Sequence, residues 1–212
     1  MANDPSDTVH LEERLREGDR QALTDLFQRH RDRLRRMVEL RMDARLQGRV
    51  DASDVLQDAF LDAATHLDYF LRGSGLPVFL WLRLVVSQRL SNYHRRHFGT
   101  KMRDVGQEVS LYRNSLPQAS SAALASMLLG RLTSPSHAAI RAEQVLQVQE
   151  ALNALDPLDR EVVALRHFEE LSRAETAQVL GITEEAGAKR YMRALRRLKA
   201  ILVVQPGGAE GT

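Results

Sequence analysis

Apolar residues recur at three- and four-residue steps through most of residues 11 to 97: Leu23, Leu26, Phe27, Leu34, Met37 and Val38, then Val55, Leu56, Ala59, Phe60, Ala63 and Leu67. This is the period of a helix with one buried face, and no convincing alternating stretch of the kind a half-exposed strand needs accompanies it. Gly48 predicts a helix end, and Asp51 with Asp54 three residues later predicts a capping box opening the next helix. The run Arg72-Gly73-Ser74-Gly75-Leu76-Pro77 predicts a loop. A further helix is expected from Val78 to His97, with Leu82, Val85, Val86, Leu90, Tyr93 and the stem of Arg89 turned to a common core.

From Gly99 to Ser136 the period is lost and Ser, Ala, Gly and Pro take over, which predicts an interdomain linker. Within it, Ala122 to Leu132 can form a short amphipathic helix of marginal stability on its own. Asp156 then stands ahead of Pro157 as cap and first helical residue, predicting a helix to about Phe168. Ser172 and Glu175 form the pattern of a second capping box, for a helix ending near Leu180. Gly181 supplies a turn, and Thr183 caps a last helix to about Val203. Two helices across a three-residue, glycine-containing turn predict a helix-turn-helix. The expected fold is therefore all-α: a flexible N-terminus (1–10), a helical domain (11–98), a long flexible linker (99–136), a second small helical domain ending in the helix-turn-helix (137–204) and a disordered tail (205–212).

Composition adds mostly exclusions. A chain of 212 residues, 43% hydrophobic and 27% charged, suits one or two small globular domains. No run approaches the roughly 20 apolar residues of a membrane span, and the opening MANDPSDTVH lacks the basic start and apolar stretch of a signal peptide, so a soluble, cytoplasmic protein is expected. The absence of cysteine removes disulfides, thiolate metal sites and cysteine nucleophiles. Thirty basic against 28 acidic residues leave a net charge of only +2, so bulk charge does not indicate a partner. Distribution does: Lys189, Arg190, Arg193, Arg196, Arg197 and Lys199 occur in a stretch without a single acid. At helical spacing Lys189, Arg190, Arg193 and Arg197 form a stripe, while Ala188, Leu195, Leu198 and Leu202 are expected to bury. Such a helix can enter a major groove, with Thr183, Glu184, Glu185, Lys189 and Arg190 nearest the bases. A helical hairpin with a solvated basic face fits the same pattern.

Asp54, Asp58 and Asp62 recur every four residues on one helix face, with Gln57 beside them. They read as a solvated face or as a docking surface for a basic partner; acid/base catalysis or a metal site would need a pocket or ligands from other segments. An enzyme built on Asp54, Asp58 and His66 lacks a convergent constellation. Gln88, Asn92 and Arg96 repeat at the same spacing and can present amides and a guanidinium to nucleic acid. His94 and His97 have no third ligand fixed nearby, and Trp81 reads as core. No glycine-rich phosphate loop, GxSxG elbow or HExxH helix is present.

Three segments in order, Asp54-Val55-Leu56-Gln57-Asp58-Ala59-Phe60-Leu61, the helix from Phe79-Leu80-Trp81-Leu82 to Tyr93-His94-Arg95-Arg96, and Leu155-Asp156-Pro157-Leu158-Asp159-Arg160-Glu161-Val162-Val163 with its helix-turn-helix, resemble the extracytoplasmic-function (ECF) sigma factors of the sigma-70 family. The resemblance implies a non-catalytic specificity subunit that binds core RNA polymerase, recognises promoter DNA and helps melt it. By it, Asp54, Leu56, Gln57, Asp58 and Phe60 belong to the helix that docks on the polymerase. Phe70, Arg72, Ser74, Gln88, Asn92, Tyr93, Arg95 and Arg96 fall in the segment that opens and reads the minus-10 element, where a flipped base must be recaptured. Arg173, Thr183, Glu184, Glu185, Lys189, Arg190, Arg193 and Arg197 fall in the unit that reads the minus-35 element, with Arg193 and Arg197 near phosphate and Arg173 clamping backbone.

Ala186-Gly187-Ala188 departs from the family's usual Gly-Thr-Val, so promoter sequence does not transfer, and the linker carries 4 basic against 2 acidic residues where such linkers are often acidic. An anti-sigma factor or a kinase-linked regulator fits the class, although no residue identifies either. No cofactor, metal, membrane or small-molecule substrate is implied. The alternative is a free-standing helix-turn-helix transcriptional regulator with a helical sensor or dimerisation domain.

Overall fold

The computed structural model describes residues 5–46, 48–73, 75–98, 118–130 and 138–204, and every regular element among them is helical. The chain divides into two units, Met1–Leu116 and Pro117–Thr212.

In the first unit the apolar period produces four helices. Helix α1 (Pro5–Arg16) begins inside the stretch expected to be a flexible arm. It is held there because Leu15 is completely buried and Arg14 binds Asp19 through Nε and Nη2 at 3.0 and 2.6 Å. Asp19 also caps α2 (Arg20–Arg41) by accepting from the Gln21 amide. Helix α2 ends at Arg41, ahead of a short 3-10 turn (Ala44–Leu46), so Gly48 with its φ of 86° follows that turn rather than closing the helix. The Asp51–Asp54 capping box is made as the spacing predicts, each side chain accepting from the other's amide at 2.9 Å, and it opens α3 (Ala52–Leu71). Helix α4 (Val78–Phe98) follows the glycine loop.

Leu26, Leu34 and Val38 of α2, Val55, Ala59 and Ala63 of α3, and Leu80, Leu82, Val86 and Leu90 of α4 are buried to zero exposure and form the core. Phe27 meets Phe60 edge to face at 5.2 Å, and Phe70 stacks on Trp81 at 4.2 Å, closing the end of the core beside the loop.

In the second unit α5 (Ser121–Gly130) packs on α6 (Ala138–Asn153). The stretch 99–136, expected to be a linker, thus gives a helix to this unit; Leu124 and Ala125 are completely buried. Arg160 donates to Ser121 Oγ and Gln118 Oε1, and Glu161 accepts from the Ala119 amide, each at 3.2 Å, which fixes the start of α5 on the next helix. That helix, α7 (Pro157–Val163), has Asp156 as its cap and Pro157 in its first turn, and runs into a π turn (Ala164–Phe168). The second capping box, between Ser172 and Glu175, starts α8 (Arg173–Leu180). Gly181 takes the left-handed conformation (φ 62°, ψ 40°) that ends α8 without a side-chain clash. Thr183 Oγ1 then accepts from the Ala186 amide at 3.2 Å at the start of α9 (Glu184–Val204). The rest of the linker, 99–117 and 131–136, together with His137, the tail 205–212 and Ser74, lies outside the described residues.

Candidate functional site

Three surfaces carry the residues singled out by the sequence. On α3, Asp54 and Gln57 are exposed. Asp58 is half-buried, accepting from the Tyr93 hydroxyl at 2.9 Å and lying 3.7 Å from Arg89 Nη1. Arg89 also grips Asp62 in a fork, Nε to Oδ2 at 2.8 Å and Nη2 to Oδ1, so the carboxylate row is tied to α4. That fork holds the Arg89 guanidinium above its ordinary pKa, and burial with the Asp58 bond raises that of the Tyr93 phenol.

Leu56 is 2% exposed and set in the core, while Phe60 is half-buried, its ring edge to face with Phe27. The outward face continues through residues not singled out from sequence, Leu61 and Tyr69, which are exposed. Their signal was present as four-residue steps from Gln57 through Leu61 and Thr65 to Tyr69, off the Val55-Ala59-Ala63 stripe.

The second surface is the α3–α4 loop and the end of α4. Phe70 is buried against Trp81 and Arg72 is exposed. A cavity of about 450 Å³ opens between α1 and this loop, lined by Glu12, Arg16, Phe70, Gly73, Gly75 and Pro77 among others. Phe70 therefore forms a wall of the cavity. Along α4, Gln88, Arg95 and Arg96 are exposed, Asn92 accepts from Arg95, and Tyr93 stacks on His97. His94 is buried and accepts from the Asp43 amide at 3.4 Å; burial lowers its pKa.

The third surface is α9 with its neighbours. Gly187 and Ala194 face inward, while Leu195, expected to bury, is exposed along with Met192. The inward positions are spaced by seven, two turns, which puts small residues against α7 and α8 and turns Leu195 out. Thr183, Glu184, Glu185, Lys189, Arg193, Arg196, Arg197 and Lys199 are exposed. Lys189 and Glu185 pair at 2.5 Å. Arg190 and Arg193 both bind Asp159 of α7, which the sequence reading did not single out. The Arg193 and Arg190 hydrogen bonds hold the Asp159 carboxyl below its ordinary pKa, and Asp159 raises that of Arg193. Arg173, at the start of α8, is exposed beside a cavity of about 120 Å³ that also touches Arg166, Thr176, Ala188, Tyr191 and Met192. The arrangement supplies a helix with an exposed cationic side, set by a rigid turn on a small folded base.

Comparison with known proteins agrees with this architecture. A family model described as "Sigma-70, region 4" matches residues 146–198. The "ECF RNA polymerase sigma factor SigM" of Mycobacterium tuberculosis is 31% identical over 189 residues, covering 87% of this chain and 79% of that protein. The "ECF RNA polymerase sigma factor SigD" of the same organism is 28% identical over 186 residues, covering 88% and 79%. Among solved structures, that of CnrH in complex with the cytosolic domain of CnrY is similar in fold, with a TM-score of 0.53 at 23% identity, covering 94% of this chain and 98% of that one.

Proposed function

This chain belongs to the ECF RNA polymerase sigma factors of the sigma-70 family, non-catalytic subunits that direct transcription initiation, and from that premise we propose how its two units divide the work. The first unit, 11–98 with α1 added, docks on core polymerase through the exposed Asp54 and Gln57 edge of α3, with Asp58 at its margin. The same unit takes the minus-10 element at the end of α4, where Gln88, Asn92, Tyr93, Arg95 and Arg96 lie along the strand. A base displaced from the duplex enters the cavity between α1 and the α3–α4 loop, with Phe70 as wall, while the exposed Arg72 in the same loop is available to phosphate.

The second unit reads the minus-35 element with α9. The observation that carries this reading is that Arg196, Arg197 and Lys199 are exposed and form no ion pair among the described residues, on the helix that follows the turn of a helix-turn-helix. Such cations hold phosphate while the first turns of the helix meet base edges. Thr183 is the cap of that helix, and Glu184, Glu185 and Lys189 stand on its leading turns. Among the described residues no helix is long and apolar enough to cross a membrane, and we place the work in the cytoplasm with the polymerase.

The test is transcription from fragmented genomic DNA by core polymerase reconstituted with this protein, followed by sequencing of transcript 5′ ends. Discrete starts sharing two upstream elements are expected. Arg197→Ala is expected to weaken use of the upstream element without regard to its sequence. Starts that do not depend on the upstream element would overturn the assignment of α9.

A further inference from the structure

Arginine side chains on a DNA-facing helix are ordinarily mobile, and ordering each on binding costs affinity. Two on α9 are already ordered. Asp159 is in the first turn of α7, its side chain only 6% exposed, and both of its oxygens are occupied. Oδ2 accepts from Arg193 Nε and Oδ1 from Arg193 Nη2, both at 2.7 Å, a two-pronged grip that fixes the plane of the guanidinium. Oδ1 also accepts from Arg190 Nη1 at 2.7 Å, and Asp156 lies 3.6 Å from the same nitrogen.

The Arg193 side chain is nonetheless 59% exposed, and its Nη1 makes no hydrogen bond among the described residues. A buried carboxylate thus holds one edge of the guanidinium while the free edge stays in water. Asp159 and Asp156 together balance the two guanidiniums, so what the group offers an anion is the oriented N–H edge of Arg193 rather than an excess of positive charge.

Resting on the reading of α9 as the promoter-facing helix, we propose that Asp159 is a positioning residue that presents the free edge of Arg193, with Arg190 braced beside it, to a phosphate of the upstream promoter element. Asp159 itself does not touch DNA. Its work is done before DNA arrives, by removing the rotamer freedom that Arg193 would otherwise lose on binding.

The experiment uses holoenzyme assembled from core polymerase and the full chain, on a promoter found by transcript mapping and on the same promoter with its upstream element scrambled. Asp159→Asn is expected to weaken binding to the intact promoter by roughly 3- to 10-fold. Arg193→Ala is expected to do the same, and the loss in the double variant to fall well short of the product of the two single losses, because both singles remove the Arg193 contact. The rate of strand opening from the saturated complex should be unchanged, which a general loosening of the fold would not predict. Losses that multiply in the double variant, tighter binding by Asp159→Asn, or an equal loss on the scrambled promoter would each overturn the proposal.

Amide hydrogen exchange in α7 and α9 checks that Asp159→Asn is folded. If its protection is lost, Arg193→Lys decides, since it keeps the charge but not the fork: weakened binding is expected, and unchanged binding overturns the proposal. If Arg193→Ala binds both promoters as the parent does while Arg197→Ala still weakens use of the upstream element, the proposal is overturned and the reading of α9 stands; if Arg197→Ala is silent as well, the promoter-facing reading of α9 fails, and Asp159 falls with it.

Discussion

His30 offers the clearest link between burial and a measurable quantity. It sits in α2 at 5% exposure, its ring 4.9 Å from that of Phe79, and neither ring nitrogen has a hydrogen-bond partner among the described residues. Burial first, and then the charges of Arg33 and Arg29, lower its pKa from 6.5 to about 4. Between these values the unfolded chain carries a proton that the folded chain does not, so folding stability falls as pH drops through this window and is unaffected above it. At 1.36 kcal/mol per pKa unit, going from about pH 7.5 to about pH 5 should remove roughly 2 kcal/mol from the first unit. His30→Leu removes the titration and the two orphaned ring nitrogens while keeping an apolar side chain against Phe79. Trp81, the only tryptophan and buried in the same unit, reports its unfolding in urea by fluorescence. The parent should lose about 2 kcal/mol more than the variant over that pH interval, and the variant should be at least as stable at the higher pH. Equal pH slopes in the two proteins would refute the reasoning, because His94 and every other titrating group are common to both.

Two further outcomes follow from the same packing. Gln57→Arg, at an exposed position of α3, should cut co-elution with core polymerase by more than about tenfold while leaving urea unfolding unchanged, whereas Asp58→Arg should also lower stability by taking the acceptor from the Tyr93 hydroxyl and setting a second cation beside Arg89, which stays bound to Asp62. Gly187→Ala should stabilise the second unit by about 0.5–1 kcal/mol, read from amide exchange in α9, since the added methyl meets only Ile182 Cδ1, at an ordinary 3.7 Å, and a helix-interior glycine is replaced.

Local signals were legible wherever the stabilising contact is local. The capping pairs Asp51–Asp54 and Ser172–Glu175 are three residues apart, and Gly181 needs only its own φ, so sequence spacing reaches them. The start of α1 was not legible, because what reaches it is Arg29 of α2, which donates to Asp7 at 3.5 Å across 22 residues, while the other end is held by Leu15 in a core assembled from other helices. Helix α5 is similar. Its ten residues are too short to persist alone, and its anchors, Arg160 and Glu161, are about 40 positions further on. A stretch without strong periodicity reads as linker until that distant partner is known.

The same distinction explains the functional surfaces. The cationic character of α9 is a matter of counting, but its orientation is not. Leu195 is apolar and Gly187 and Ala194 are small, so hydrophobicity alone turns the leucine inward, whereas in the fold α9 packs on α7 and α8 with Gly187 and Ala194 buried and Leu195 exposed. Rotating the helix to bury Gly187 and Ala194 brings Arg190 and Arg193 over the first turn of α7. There a buried Asp159, 31 and 34 residues away in sequence, converts two members of a charge stripe into an ordered group. On α3 Leu56 turns into the core, Phe60 is half-buried against Phe27, and Leu61 and Tyr69 turn out. Residue type and spacing thus pick out the helices proposed to meet the polymerase and the promoter, while the packing around them decides which of their side chains are exposed.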